Sequence, residues 1–202
     1  MVLHGSPHND SYTEKLTAAY LEQLESTACV RHVDLFETRI KPCTDCKYCY
    51  KHDGCPLHDS FESIADKLDQ ADAIILSTPV YYLGFPAPFK AFIDRTQQLF
   101  VRRVLFKREK IANNKKGILI CTCGGRDLSA VESLKAPAEM FFSVFGATLS
   151  ETVYLAGTDL PPEKRRCNRM KLIEKEIDVY KRQPLSASVT LLEATAPVKL
   201  PT

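Results

Sequence analysis

Short apolar runs alternate along the first 177 residues with stretches whose apolar positions recur every three or four residues. The first pattern predicts strands and the second predicts helices. MVL is a stub of apolar strand, and SYTEKLTAAYLEQLES places Leu16, Tyr20 and Leu24 on one helix face. Ser11 and Glu14 have the spacing of a capping box at its start. CVRHVDL alternates as a strand. After an irregular stretch, DSFESIADKLDQ predicts a helix capped by Asp59, with Phe61, Ile64, Ala65 and Leu68 inward. DAIILSTPVYY opens as an all-apolar strand, the pattern of a sheet covered on both faces. PFKAFIDRTQQLF predicts a helix with Pro88 in its first turn and Phe89, Phe92, Ile93 and Leu99 buried. KGILICTCGG is a further apolar strand. A helix follows within 129–145; Ser129 and Glu132 mark a start there, while Pro137 would interrupt a helix begun at that point. ATLSETVYLA predicts a fifth strand and PPEKRRCNRMKLIEKEI a last helix.

Five strands alternating with five helices predict an α/β fold. Its best topology is a flavodoxin-like, doubly wound parallel sheet of five strands, order 2-1-3-4-5, with helices on both faces. One domain over 1–177 accounts for the pattern, with a cysteine-rich loop at 36–57. In such a sheet a ligand sits beyond the carboxyl ends of the strands, at the switch between strands one and three. The loops after strands one, three and four are therefore the places to look for chemistry.

Charge and composition narrow the classes. The 202 residues carry 27 basic and 25 acidic side chains, a net +2, which argues against a nucleic-acid binder or a polybasic membrane protein. No apolar run approaches the ~20 residues of a membrane helix. MVLHGSPHND lacks the basic-then-apolar order of a signal peptide, so a cytoplasmic location is expected. In that compartment eight cysteines point to metal, cluster or redox chemistry rather than structural disulfides.

The first loop, HGSPHNDSYT, combines a turn glycine, Gly5, with Ser6, Ser11 and Thr13 at a helix start. Free backbone N–H groups and the positive end of the helix dipole suit a phosphate there. Neither G-x-G-x-x-G nor a P-loop is present, and the loop holds no Lys or Arg. The second loop, STPVYYLGFPAP, carries Tyr81 and Tyr82 on a proline-stiffened segment that could stack on a flat heterocycle. In the third, CTCGGRD, Gly124 and Gly125 allow close backbone approach. Singly each loop reads as an ordinary turn; together they match the shape and chemistry of flavin mononucleotide (FMN).

GSPHNDSYT resembles the G-S-P-x-x-x-S-x-T phosphate loop of the NAD(P)H-dependent FMN reductase family, and ADAIILSTPVYYLGFPAPFKAFIDR resembles that family's second flavin segment. The resemblance covers about residues 2–177. It implies FMN phosphate around Ser6, Ser11, Tyr12 and Thr13, with His8 where many members carry a basic residue. It places the isoalloxazine against Pro79, Val80, Tyr81, Tyr82, Leu83 and Gly84, with Cys123, Gly124 and Gly125 closing the third side. It also implies NAD(P)H as substrate, and homodimers or homotetramers in which one subunit's loops cover the neighbour's flavin.

CTDCKYCYKHDGC places Cys43, Cys46, Cys49 and Cys55 in one long loop. Zinc is usually held by two separated C-x2-C pairs. Here C-x2-C-x2-C is followed by a fourth cysteine after five residues and then by proline, a compact triple that suits an iron–sulfur cluster. Bare redox thiols and zinc remain as second and third readings. The spacing resembles the iron–sulfur flavoprotein branch of the same family, which implies a [4Fe–4S] cluster on these four residues. Cys29, Cys121 and Cys167 read as buried or incidental thiols, and small size suffices to explain Cys123.

These readings converge on an FMN-dependent oxidoreductase. It takes a hydride from NAD(P)H or electrons from a protein donor. It passes them through a cluster or to a small acceptor such as a quinone or flavin. No general acid or base is named, because none of the five histidines has a motif-level partner. The rivals are an FMN and iron–sulfur electron carrier or redox sensor without substrate turnover, and a zinc-stabilised interaction module. RRVLFKREKIANNKK reads as a solvated basic face. Strand one is only three residues long, which predicts that the native start lies upstream. DVYKRQ resembles a translated sequencing-library adapter, so 178–202 is expected to be a non-native or disordered tail without function.

Overall fold

A computed structural model of the chain describes residues 1–24, 28–108, 111, 112 and 114–169. Strands β1 (Val2–His4), β2 (His32–Asp34), β3 (Ala73–Pro79), β4 (Lys115–Cys123), β5 (Ala147–Ala156) and β6 (Arg166–Cys167) form one sheet. Their order is β2-β1-β3-β4-β5-β6. The first five strands are parallel, as expected, and β6 joins β5 antiparallel. The helices are α1 (Tyr12–Leu21), α2 (Tyr48–Lys51), α3 (Phe61–Asp69), α4 (Ala87–Arg95), α5 (Gln97–Leu99) and α6 (Ser129–Val144). A π-helical segment, Phe100–Leu105, continues α5. Among the described residues no helix is long and apolar enough to cross a membrane.

The uninterrupted apolar strands are explained by burial on both faces. Successive residues alternate between two cores: Leu3, Ile74, Leu76, Leu119 and Cys121 face α3, α4 and α6, while Val2, Ile75, Ile118 and Ile120 face Leu16 of α1. The larger core is built on a chain of rings. Phe92 stands with its centroid 5.0 Å from Phe61 and 6.1 Å from Phe141, and Phe141 lies 5.1 Å from Phe145. A seam of hydroxyls ties α1 to the sheet: Thr17 Oγ1 to Ser77 Oγ at 2.7 Å and Thr13 Oγ1 to Thr122 Oγ1 at 2.6 Å.

Several local expectations are corrected. The start of the expected last helix is instead a 3-10 turn, Pro162–Lys164, followed by β6. Open backbone groups on the edge of β5 pair with Arg166 and Cys167 and override helix propensity there. Residues 170–177 of that helix, and the tail 178–202, lie outside the described residues. Helix α6 runs through Pro137 without a break. Burial of Val131, Leu134, Ala138, Phe141 and Phe142 outweighs the ~3 kcal/mol that an interior proline costs. Its first free amide, Ser129 N, is capped by Asp127 Oδ1 at 2.9 Å rather than by Ser129 itself. Ser11 caps α1, but Glu14 does not complete the box; its carboxylate turns to His4 Nδ1 at 2.8 Å. Leu24 lies beyond the end of α1 and is exposed.

The basic stretch is only partly a solvated face. Arg103 is buried and grips Asp69, with Nη1 2.8 Å from Oδ1. Lys115 Nζ donates to the carbonyls of Leu68 and Asp69 at 3.0 and 2.6 Å, capping the end of α3.

Phe92→Ala removes the central ring of the fully buried chain. We expect a loss of about 3–5 kcal/mol, read as a lowered midpoint in urea with the transition still monitored by far-UV circular dichroism.

Candidate functional site

The three loops meet at the carboxyl edge of the sheet. Parallel pairing aligns His4 with Ser77 and Pro79 with Thr122, so β1, β3 and β4 end together. Gly5 N donates to Ser77 O at 2.8 Å, and Val80 N to Thr122 O at 2.8 Å, extending the ladders into the loops. Gly5 is required by packing: a Cβ there would collide with the ring of Phe89, in the first turn of α4.

In the first loop, Ser6 is buried and its Oγ lies 2.8 Å from Ser11 Oγ, which accepts from Glu14 N at 3.2 Å. His8 is exposed and closes the turn through its backbone, donating to Ser6 Oγ at 3.3 Å. The Thr13 hydroxyl is buried against Thr122, so what Thr13 offers a ligand is its place in the first turn of the helix, where backbone donors lack intrahelical partners. The ring of Tyr12 packs on the α1-side core beneath Arg165, whose guanidinium carbon is 4.7 Å from the ring centre. Arg165 is tethered by Nε to Leu160 O at 3.0 Å. It supplies a positive charge beside a loop that has none of its own. Sequence separation hid it: it comes from the segment after β5.

The second loop is a two-residue hairpin. Tyr81 and Gly84 exchange both backbone bonds at 2.9 Å, and Tyr82 and Leu83 between them have φ of 48° and 57°. Large residues in this left-handed region are uncommon. The turn holds both side chains out: Tyr82 is fully exposed, and Tyr81 and Leu83 about half. Pro79 and Val80 carry the strand into this hairpin. In the third loop, Gly157 N donates to Cys123 O and Gly125 O at 2.9 and 2.7 Å, and Asp159 N to Gly124 O at 3.3 Å. A side chain on Gly124 would strike the Asp159 carboxylate, whereas Gly125 faces open space. Cys123 is buried, its Sγ 3.3 Å from Gly125 O, and burial pushes its thiol pKa up. Cys121 is fully buried and shifted the same way for the same reason. Neither is a poised nucleophile. Cys29 is exposed and Cys167 half-buried.

One histidine does have a partner network. His4, at the end of β1, joins Glu14 to His32, with Nε2 2.8 Å from His32 Nδ1. Burial and then the neighbouring His4 hold His32 below the ordinary imidazole range.

The cysteine loop leaves the same edge, where Leu35 N donates to His4 O at 3.0 Å, but its cysteines pack elsewhere. Cys43, Cys46, Cys49 and Cys55 line one small cavity together with Arg95, Gln97 and Gln98 of α4 and α5. All eight cysteines are free thiols. Among the described residues no group of three or more His, Cys, Asp or Glu side chains is drawn together as a metal cage. Arg95 is the reason for the placement. Its Nη1 donates to Lys41 O at 3.1 Å and Asp59 Oδ2 at 2.6 Å, and its Nη2 to Leu57 O at 3.0 Å, so one side chain pins both ends of the loop. Asp59 in turn accepts from Lys41 N and Phe61 N, each at 2.9 Å, and so also caps α3 as expected. Periodicity held the signal: Arg95 and Gln98 fall on the buried stripe of Phe92 and Leu99.

The sheet order and the three-loop edge define a flavodoxin-like protein. The NADPH-dependent FMN reductase family matches residues 1–158, and the chain belongs to that family. It is similar to an iron-sulfur flavoprotein of Methanosarcina thermophila, 32% identical over 127 residues, covering 62% of this chain and 63% of that protein. It is also similar to an FMN-dependent NADH:quinone oxidoreductase of Pelagibacter ubique, 30% identical over 121 residues, 58% of this chain and 61% of that one. The chain thus spans less than two thirds of the length of either relative. Among solved structures, an NAD(P)H:quinone oxidoreductase from Methanothermobacter marburgensis superposes with a TM-score of 0.62 at 20% identity, over 85% of this chain and 88% of that one, and shares the fold.

Asp59 bears the acid sensitivity of the loop. Burial raises its pKa, but the two backbone donors and Arg95 outweigh that and hold it below the ordinary 3.8. The pair's contribution is therefore complete above 3.8 and is lost as pH falls below it. Asp59→Ala leaves the buried Arg95 with only the half-exposed carboxylate of Glu62, 3.6 Å from its Nη2, and costs about 3 kcal/mol at neutral pH. The gap between variant and wild type, measured by urea unfolding, narrows as pH falls below 3.8.

Proposed function

We propose that this protein is an FMN-dependent NAD(P)H oxidoreductase that passes electrons to a small acceptor such as a quinone or flavin. The observation that carries the reading is the meeting of three loops at one sheet edge, with a hydroxyl-lined helix start at one end and exposed tyrosines at the other. Family membership supports it, as do relatives whose names specify FMN and NADH:quinone chemistry.

The site fits FMN. Ser6 and Ser11 offer hydroxyls to the phosphate, the opening turn of α1 offers backbone donors, and Arg165 offers charge. Pro79 to Gly84 present a rigid wall for the ring system, and the open space at Gly125 leaves room on the third side. When bound, FMN would supply hydride acceptance and one- or two-electron release, and the residues named here would supply its position and field. The Tyr81–Gly84 hairpin, with Tyr82 wholly in solvent, suits a second subunit covering the flavin, in a homodimer or homotetramer.

The four cysteines would hold a [4Fe–4S] cluster as a further electron carrier. Arg95 and Gln98 line the same cavity, and each carries a buried nitrogen donor, Nε and Nε2, without an acceptor among the described residues, which suits an anionic, sulfur-rich group. A relative named as an iron-sulfur flavoprotein supports the assignment. The cavity also keeps a second reading in view, a carrier of electrons between proteins. Under anaerobic conditions the flavin-loaded enzyme should oxidise NAD(P)H much faster than free FMN does. A rate equal to that of free FMN leaves the carrier.

Ser11→Ala should weaken FMN by roughly tenfold to a hundredfold while riboflavin, which lacks the phosphate, binds as to wild type. Flavin fluorescence quenching on titration checks both. If the wild-type protein quenches neither flavin, the proposed site is wrong.

A further inference from the structure

Arg95 and Gln98 reach the cysteine cavity from outside the cysteine loop, and both are more than nine-tenths buried, at 1% and 8% exposure. Arg95 spends its two Nη groups on Lys41, Leu57 and Asp59, and among the described residues its Nε–H has no acceptor. The amide nitrogen of Gln98, Nε2, has none either. A buried N–H without an acceptor costs about 1–3 kcal/mol, and native proteins avoid it. Two such groups, on residues that line the same cavity as the four cysteines, define a missing acceptor. Protonated thiols are poor acceptors, and no backbone carbonyl of the loop takes the role.

An acceptor of the right character is a thiolate-ligated cluster. Its sulfurs carry negative charge, and hydrogen bonds to them are among the factors that set its reduction potential. We propose that Gln98, assisted by the buried cation of Arg95, is the positioning residue for the electron-carrying group on Cys43, Cys46, Cys49 and Cys55, donating from Nε2 to one of its sulfurs and raising its reduction potential. The inference rests on the reading that these cysteines hold a cluster. The sign follows from charge. One-electron reduction makes the group more negative, so a donor stabilises the reduced form more than the oxidised one.

The division of labour between the two residues follows from their contacts. Arg95 cannot be altered cleanly, because it also pins both ends of the loop. The Gln98 amide nitrogen makes no hydrogen bond with the described residues and the side chain holds none of the loop's anchors, so its replacement leaves those anchors in place. Gln98→Met keeps length and approximate volume while deleting the donor. Gln98→Glu keeps the shape, deletes the donor and adds a negative charge.

The test is anaerobic reconstitution of the full chain with iron, sulfide and FMN. Iron and acid-labile sulfide are then counted per chain, and a dye-mediated redox titration is followed by electron paramagnetic resonance. With equal iron and sulfide in both proteins, Gln98→Met should shift the one-electron equilibrium about tenfold towards the oxidised form, a potential about 59 mV lower. Gln98→Glu should lie lower still. If Gln98→Met fails to retain iron, the Gln98→Glu titration alone decides. Equal potentials at equal iron content overturn the role of Gln98 and leave the cluster standing. Wild-type protein that binds FMN but holds no iron and sulfide, or holds zinc instead, overturns the cluster reading itself.

Discussion

One buried guanidinium organises the least regular stretch described in this protein. The stretch from 36 to 57 has a single helical turn and little apolar content to bury, yet it is held in place by Arg95. A side chain with a rigid fork is needed, because three oxygens from two ends of the loop and one carboxylate must be met in fixed directions. A lysine would satisfy the charge and leave the geometry unmet. Asp59 balances that charge and also starts α3, so the loop's closure and the next helix share one carboxylate. The ring of Phe61 lies 5.0 Å from the guanidinium and shields the pair from water.

The same helix links the two candidate sites. Phe89, in the first turn of α4, packs against Gly5 at the three-loop edge, and Arg95 stands nearly two turns further along. Six residues at 1.5 Å each set the cysteine cavity about 9 Å along the helix from that edge. The ring chain through Phe92 stiffens the segment between them.

Much of this was legible in the residue pattern, for physical reasons that differ by element. The strand order could be anticipated because right-handed crossovers and two-sided burial leave few arrangements for five apolar runs. The loop after β1 could be found because helix caps and turn glycines are local signals. What stayed hidden were contacts made across long separations. Arg165 meets Tyr12 from the far end of the described chain, and Arg103 leaves its basic neighbours to meet Asp69. Glu14 had the right spacing for a capping box, but His4 competes for its carboxylate. Proline at 137 is a strong local stop, and the core-facing apolar residues around it overrule that stop. Arg95 is the instructive intermediate case: a charge on a buried helical stripe is visible in the pattern, but the oxygens it serves are not.

The outer border of the sheet shows how a short strand can be lengthened by a side chain. β6 pairs with only Leu155 and Ala156 of β5. One residue on, Asn168 continues the ladder with its amide, accepting from Tyr154 N at 3.0 Å and donating to Thr152 O at 2.7 Å. An amide group carries the same donor and acceptor as a peptide unit, so it occupies the sites that a foreign strand would seek. Sheet borders left open recruit other chains and seed aggregates. A single asparagine therefore blunts this margin against self-association at high protein concentration, without adding another strand.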